Sequence, residues 1–125
     1  MIDTLFARAC ERAPQGMEIS VIAAEKPERT ALWSDAGRMS FAELNTRANQ
    51  LVRHMRSVGL VAGDAVALVC GNRQEFAVVR FACHRAGLRL TPVNWHLTPP
   101  EIHYIVENCE AKALFLDVRV AATGC

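Results

Sequence analysis

The sequence lacks the features that mark several large classes of protein. Its 125 residues contain no apolar run close to the roughly 20 residues that a membrane-spanning helix needs. The first residues show no charged segment followed by an apolar one, so no secretory signal is predicted. Lysine and arginine number 14 and aspartate and glutamate 13, and the resulting net charge of +1 argues against a generic nucleic-acid binder. Because 51% of the residues are hydrophobic, the chain is globular rather than disordered.

Signatures of phosphate binding, nucleophilic catalysis and metal binding are also missing. The seven glycines form neither GxxxxGK[ST] nor GxGxxG, and neither GxSxG nor HExxH occurs. The five cysteines contain no CxxC pair and are odd in number, so we interpret them as free thiols in a reducing cytoplasm. The carboxylates show no spacing typical of a general acid–base pair. We predict no catalytic residue and no metal site, since only a coincidence of folding would gather the candidate ligands His84, His96, His103 and Cys109.

Two helices, a hairpin and a long helix are predicted in the first half of the chain. The first four elements are a helix over 2–13, a helix over 18–26, a strand over 30–34 and a returning strand at 38–39. Ser40 and Glu43 form a capping box that opens the long helix, which Gly59 ends. We interpret its polar face as solvated, with phosphate or lipid binding as the less favoured alternative; that face comprises Arg47, Gln50, Arg53 and Arg56.

Strands and helices alternate from residue 65 onwards. The predicted elements are a strand over 65–70, a helix over 73–86, a strand over 88–93, a helix that opens at a capping box over 98–101, and a strand over 112–117. This order is a βαβαβ unit with a parallel sheet and right-handed crossovers, and it resembles half of a doubly wound α/β domain. Helix 73–86 is apolar on almost every side, so we expect more than one side of it to be covered.

One loop stands out as a candidate ligand-binding site. Asn94 and Trp95 come directly after a predicted parallel strand, at the edge where open α/β sheets bind ligands. We predict a substrate contact there; the alternative is a tryptophan packed as a lid on the sheet. The turn over 70–73 could present a helix N-terminus to an anion, but with one glycine and no lysine a tight turn is the favoured interpretation.

Several strings, taken in order, resemble the N-terminal part of the adenylate-forming enzymes, and in particular the AMP-forming acid–coenzyme A ligases. The resemblance runs from about residue 17 to about residue 117. Its segments are the aromatic-x-Glu-Leu string at 38–44, Ala-Asn-Gln-Leu at 48–51, Gly-Asp-Ala-Val-Ala at 63–67, Asn-x-x-Glu-Phe at 72–76, Ala-Gly at 86–87, Pro-Val-Asn at 92–94 and the Leu-Thr and Glu-Ile pairs at 97–102. Where the family often carries Pro or an Arg-containing stretch after the Asn, this chain has Trp95 and His96.

The resemblance implies an incomplete part of a larger adenylate-forming fold, with residues 1–125 as a partial N-terminal subdomain. The parent enzyme would use ATP, Mg²⁺ and coenzyme A to convert a fatty acid or another carboxylic acid into an acyl-adenylate and then an acyl-CoA. The family's ATP loop and late catalytic lysine have no counterpart in this sequence, so no catalytic or cofactor-binding residue is carried over. The expected partner is the missing C-terminal remainder, or a second copy that associates through helix 73–86 and the open sheet edge. The alternative function is a non-catalytic α/β interaction or small-ligand-binding module.

Overall fold

The elements of the structure follow the order that the sequence predicts. The computed structural model describes residues 4–121. The helices are α1 (Thr4–Arg12), α2 (Glu18–Glu25), α3 (Phe41–Ser57), α4 (Gln74–Ala86), α5 (Pro99–Asn108) and α6 (Val118–Ala121), with one 3-10 turn at Ala13–Gln15. The strands are β1 (Thr30–Ser34), β2 (Gly37–Ser40), β3 (Ala65–Val69), β4 (Arg89–Val93) and β5 (Ala111–Leu116). The predicted start of the first helix, at residues 2 and 3, lies outside the described residues.

The second half of the chain builds a three-stranded parallel sheet in the order β4-β3-β5. Val66 of the central strand is in register with Leu90 on one side and with Ala113 on the other. All five residues of β3 are buried, which explains the continuous apolar run in its sequence. The predicted βαβαβ unit and the mixed α/β class are therefore confirmed.

Helices cover both faces of this sheet. On one face, Val66, Leu68 and Cys70 pack in a single cluster with side chains of α3 and α4, among them Val52 and Cys83. On the other face, Ala67, Val69 and Val93 pack with Ile102 of α5. Consecutive β3 residues point to opposite faces, so the one strand contributes to both clusters.

The N-terminal elements form a separate layer outside α3 and α4. Strands β1 and β2 pair antiparallel, with Ser34 opposite Gly37, and a third cluster joins them to the helices. Its buried members are Ile19, Met39, Leu44 and Val78, which come from α2, β2, α3 and α4. The Gln74 side chain donates to the Gly37 carbonyl over 2.9 Å and so fixes the hairpin turn against the start of α4.

The sequence led us to expect that a partner would cover the second side of helix α4, and the structure differs. The apolar residues of α4 are covered from within the chain: Val79 and Cys83 face the sheet, while Val78 packs with the hairpin layer. No large hydrophobic side chain of α4 is among the exposed ones. Exposed apolar side chains lie instead on the edge strand β5, where Leu114 and Leu116 are 46% and 38% exposed. The difference arises because the N-terminal layer packs on the side of α4 that faces away from the sheet. The sequence of α4 alone does not show that such a layer exists.

No helix among residues 4–121 combines the length and the apolar character that crossing a lipid bilayer requires.

Candidate functional site

The carboxyl ends of the three parallel strands bring three loops together at one edge of the sheet. Residues 70–73 follow β3, residues 94–96 follow β4 and residues 117–119 follow β5. A cleft of about 400 Å³ opens between these loops. It is lined by Gly71, Asn72, Trp95, His96, Asp117 and Arg119. The edge is the one at which open α/β sheets bind ligands.

Trp95, the predicted candidate, lines this cleft and is 41% exposed. Its ring lies 3.7 Å from the His96 ring, centroid to centroid, at an angle of 33°. Across the cleft, a Cβ atom built on Gly71 would lie 3.6 Å from the indole Nε1. That distance is an ordinary van der Waals contact, so the edge of the indole ring lies close to the Gly71 backbone.

Asn94, the other predicted substrate contact, makes hydrogen bonds within its own loop. Its side-chain Oδ1 accepts a hydrogen bond from the His96 amide over 3.0 Å, and its carbonyl accepts one from the Leu97 amide over 3.2 Å. These bonds shape the turn that presents Trp95, as Asx turns do. Asn94 does not line the cleft.

The best-connected residue of the site, Asp117, was not predicted. Its buried carboxylate accepts hydrogen bonds from Arg73 Nη1, from the Arg119 amide and from Arg119 Nη2, over 3.1, 2.9 and 3.1 Å. The side-chain and amide bonds from Arg119 lower the pKa of Asp117 well below its ordinary value of 3.8. A signal was present in the sequence, because Asp117 directly follows an apolar strand at the edge singled out for Trp95.

Cys70 lies beside this carboxylate, with its sulfur 3.9 Å from Asp117 Oδ2. Burial raises the pKa of the Cys70 thiol above 9.0, and the negative charge of Asp117 raises it further. A thiol held in its protonated form is a poor nucleophile and a poor metal ligand. Cys70 therefore packs as a small apolar side chain.

A second, larger groove of about 480 Å³ lies on the other side of the Asp117 cluster, between α3 and β5. Its walls are mainly apolar, with Leu51, Leu68, Val79 and Phe115 among the lining side chains. Arg73 and Asp117 line this groove as well, and Asp117 is shared with the cleft beside Trp95. The arrangement offers two adjoining surfaces, one apolar and one polar, separated by an ion-paired ridge.

The remaining sequence candidates are dispersed. His103 of α5 pairs with Glu107 over 3.3 Å, and His84 of α4 lies 3.9 Å from Glu18. Within residues 4–121, no three His, Cys, Asp or Glu side chains lie close enough to hold a metal ion. The one carboxylate lining the cleft is already paired with two arginines.

Comparison with known proteins identifies the class of this chain. Residues 19–124 match the family model described as AMP-binding enzyme. The chain belongs to this family of adenylate-forming enzymes, and it corresponds to the N-terminal portion of the larger enzymes that it resembles.

Among its relatives are ligases that act on fatty acids. The chain is 28% identical over 95 residues to the fatty acid–[acyl-carrier-protein] ligase ScoC of Streptomyces coeruleorubidus. It is 33% identical over 88 residues to a medium/long-chain-fatty-acid–CoA/3-oxocholest-4-en-26-oate–CoA ligase of Mycobacterium marinum. These alignments cover 76% and 70% of this chain but only 18% and 16% of the relatives, so the chain spans less than a fifth of their length.

Solved structures share the fold. The inhibitor-bound N-terminal domain of FACL13 from Mycobacterium tuberculosis aligns with 89% of this chain and 29% of its own, at a TM-score of 0.79 and 24% identity. A benzoate CoA ligase from Burkholderia xenovorans LB400 aligns with 89% of this chain and 23% of its own, at a TM-score of 0.81 and 19% identity. The predicted adenylate-forming fold is thereby confirmed.

Proposed function

We propose that the chain is the N-terminal subdomain, residues 1–125, of an ATP-dependent carboxylic acid–CoA ligase. The observation that carries the proposal is the family match over residues 19–124, in a chain that spans less than a fifth of its ligase relatives. Fatty acids are the favoured substrate class, because relatives 28% and 33% identical are named for fatty acids.

In the proposed reaction, the acid's carboxylate attacks the α-phosphate of ATP, which releases pyrophosphate and forms an acyl-adenylate. The thiol of coenzyme A then displaces AMP and takes the acyl group. The first step needs Mg²⁺ and cationic groups that stabilise the charge developing on the phosphates. In the described residues, Arg119 of the cleft and the neighbouring Arg73 are already paired with Asp117, so the remainder of the enzyme would supply this machinery.

The contribution that we assign to this chain is a wall of the substrate site. Trp95 would contact the substrate with its exposed face, and Asn94 would hold the turn that presents the ring. The partner that we assign is the C-terminal remainder of the ligase, which would cover the exposed side chains of β5. The four described cysteines are free, which supports a cytoplasmic location.

The direct test of the proposal is ATP–pyrophosphate exchange by the product of the complete reading frame. We expect exchange with a panel of fatty acids of increasing length, and none with the 125-residue chain alone. Exchange that depends on an aryl or short-chain acid would still support the proposed ligase activity, but it would change the proposed substrate class. A complete reading frame that codes for no phosphate loop and supports no exchange would overturn the proposal.

The role of Trp95 is tested in the same full-length enzyme. Trp95→Ala should raise the KM for the acid severalfold with a smaller change in KM for ATP, because the lost contact is with the acid. Tyr104→Ala is the matched control, since Tyr104 is a 68% exposed aromatic residue on α5. Equal effects of the two substitutions, or none from either, would remove Trp95 from the substrate site.

Fluorescence distinguishes the alternative of a free-standing ligand-binding module. In a Trp33→Phe variant, Trp95 is the single tryptophan of the chain and its emission reports on the cleft. Saturable quenching of the isolated chain by a carboxylic acid at micromolar concentration would favour the module. No response in the isolated chain, with a response in the full-length enzyme, is the result expected of a subdomain.

A further inference from the structure

Three buried side-chain oxygen and nitrogen atoms within residues 4–121 have no hydrogen-bond partner. They are Glu18 Oε2, Asn45 Oδ1 and Arg85 Nη2. Glu18 begins α2, Asn45 lies in the first half of α3, and Arg85 lies at the end of α4. A buried polar group without a partner costs free energy, and most such groups in folded proteins are paired with protein or ordered water. The three atoms therefore call for an explanation.

The Arg85 guanidinium joins three parts of the N-terminal half to each other. Its Nε donates to the Gly16 carbonyl over 2.9 Å, and its Nη1 donates to Asn49 Oδ1 over 2.7 Å. These bonds tie the end of α4 to the turn before α2 and to the middle of α3. Each terminal nitrogen of a guanidinium carries two N–H donors, so Nη2 still has hydrogen bonds to give.

The two unpaired oxygens belong to the helices that Arg85 contacts. Glu18 Oε1 lies 3.9 Å from His84 Nδ1, which brings this carboxylate to the end of α4. Burial lowers the pKa of Arg85, and the negative charge of Glu18 opposes this shift, as expected of a carboxylate near the guanidinium. Asn45 precedes Asn49 by one helical turn, so both amides lie on the side of α3 that contacts Arg85. One unpaired donor and two unpaired acceptors thus meet where α2, α3 and α4 join.

We propose that this junction binds one ordered water molecule, held by Arg85 Nη2, Glu18 Oε2 and Asn45 Oδ1. The water would accept a hydrogen bond from the guanidinium and donate its two hydrogens to the carboxylate and the amide oxygen, and about three bonds is typical of a buried water. A cation fits less well because it would face the positive guanidinium, and an anion because it would face the carboxylate. The site lies at the end of α4, whereas the cleft lies beside its start, and the inference does not depend on the proposed ligase activity.

A crystal structure of the chain, at a resolution that shows ordered water, tests the site directly. We expect one density peak within about 3.2 Å of Arg85 Nη2, Glu18 Oε2 and Asn45 Oδ1. The peak should recur in every copy of the chain in the crystal, because an internal site does not depend on lattice contacts. The proposal is overturned if no peak is found, if the peak contacts fewer than three of these atoms, or if Arg85 Nη2 pairs directly with Glu18 Oε2.

Urea denaturation tests the same site in solution. Glu18→Ala and Asn45→Ala should each lower the urea midpoint, because each removes one partner of the water. Since both act through one molecule, the double variant should lose less than the sum of the two single losses. Thr46→Ala is the matched control, because Thr46 is an exposed neighbour of Asn45 on α3, and its effect should add to that of Glu18→Ala.

Circular dichroism should verify that every variant is folded. If Glu18→Ala does not fold, Glu18→Gln takes its place, since it removes the negative charge and keeps the size of the side chain. Losses that are additive for Glu18 and Asn45, as they should be for Glu18 and Thr46, would show that the first two residues share no water and would overturn the proposal.

Discussion

At the scale of single residues, Gly16 is the position that tolerates a side chain least. It follows the 3-10 turn with φ +69°, and a Cβ atom there would lie 2.5 Å from the Arg85 Cα and 2.6 Å from the Arg85 amide nitrogen. Both neighbouring atoms belong to the α4 backbone and cannot move aside. We predict that Gly16→Ala lowers the free energy of unfolding by at least about 3 kcal/mol, measured by urea denaturation.

Gly63 provides the comparison for this prediction. It also has a positive φ, +92°, but a Cβ atom there would meet nothing within 4 Å. Gly63→Ala should cost only the backbone strain, about 1 kcal/mol. If the two variants are equally stable, the close approach of the Gly16 turn to α4 does not occur in solution.

The lowered pKa of Asp117 predicts how the stability of the folded chain depends on pH. Its pKa is lower in the folded chain than the ordinary 3.8, mainly through the hydrogen bonds from Arg119. Its contribution is therefore complete well above the ordinary pKa and is lost as the pH falls below it. Asp117→Asn should unfold at lower urea concentration at neutral pH, and the gap to the unchanged chain should narrow on acidification. A gap that stays constant between neutral and acid pH would show that the carboxylate is not selectively stabilised in the folded state.

The candidate site could be predicted only in part from the sequence. Trp95 was singled out because its loop follows an apolar strand, and its side chain lines the cleft; its contact with a substrate stays a prediction. Asp117 obeys the same rule but was missed, because its partners Arg73 and Arg119 lie in two different loops and meet only after the sheet has formed. Pairing between loops depends on strand order, and the sequence does not state that order.

At the scale of elements, one side chain caps the N-terminus of α3, beside the Arg29 and Pro27 carbonyls that accept from its first two amides. The buried Ser40 hydroxyl accepts a hydrogen bond from the Glu43 amide over 3.2 Å, as the sequence predicted. Ser40→Ala would leave that amide without this partner and should lower the free energy of unfolding by about 1 kcal/mol. Ser57→Ala, at the exposed other end of α3, should cost less than half of this. Equal losses in urea denaturation would assign no special role to the cap.

Whether a segment is a helix or a strand was easier to predict than which other elements it packs against. Period and capping signals located the five strands, helices α2 to α5 and the end of α1 to within about two residues of their observed bounds. The neighbours of each element were not predictable in the same way. Helix α4 is apolar nearly all round, which correctly indicated cover on two sides, but its sequence does not reveal that α3 and the β1–β2 hairpin supply the second side.

At the scale of the whole molecule, the two edges of the parallel sheet differ in how well they are protected. Strand β4 carries the exposed Pro92, which has no amide hydrogen to offer a further strand, and the exposed Arg89. Strand β5 alternates half-buried residues with the exposed Lys112, Leu114 and Leu116, and it keeps its backbone donors. The sequence suggested association through helix 73–86 and the open sheet edge. Of these two surfaces, we expect the isolated chain to use the edge, at β5.

The exposed edge of β5 predicts that the isolated chain associates with itself. We expect the isolated chain to form dimers or larger species in light scattering, with Leu114→Lys combined with Leu116→Lys returning it to the monomer mass. Both side chains are more than a third exposed, so the double substitution should change the free energy of unfolding by less than about 1.5 kcal/mol. Val58→Lys places the same kind of charge on another exposed apolar residue and should leave the mass unchanged. If the unchanged chain is monomeric at high protein concentration, the β5 edge does not drive association of the isolated chain.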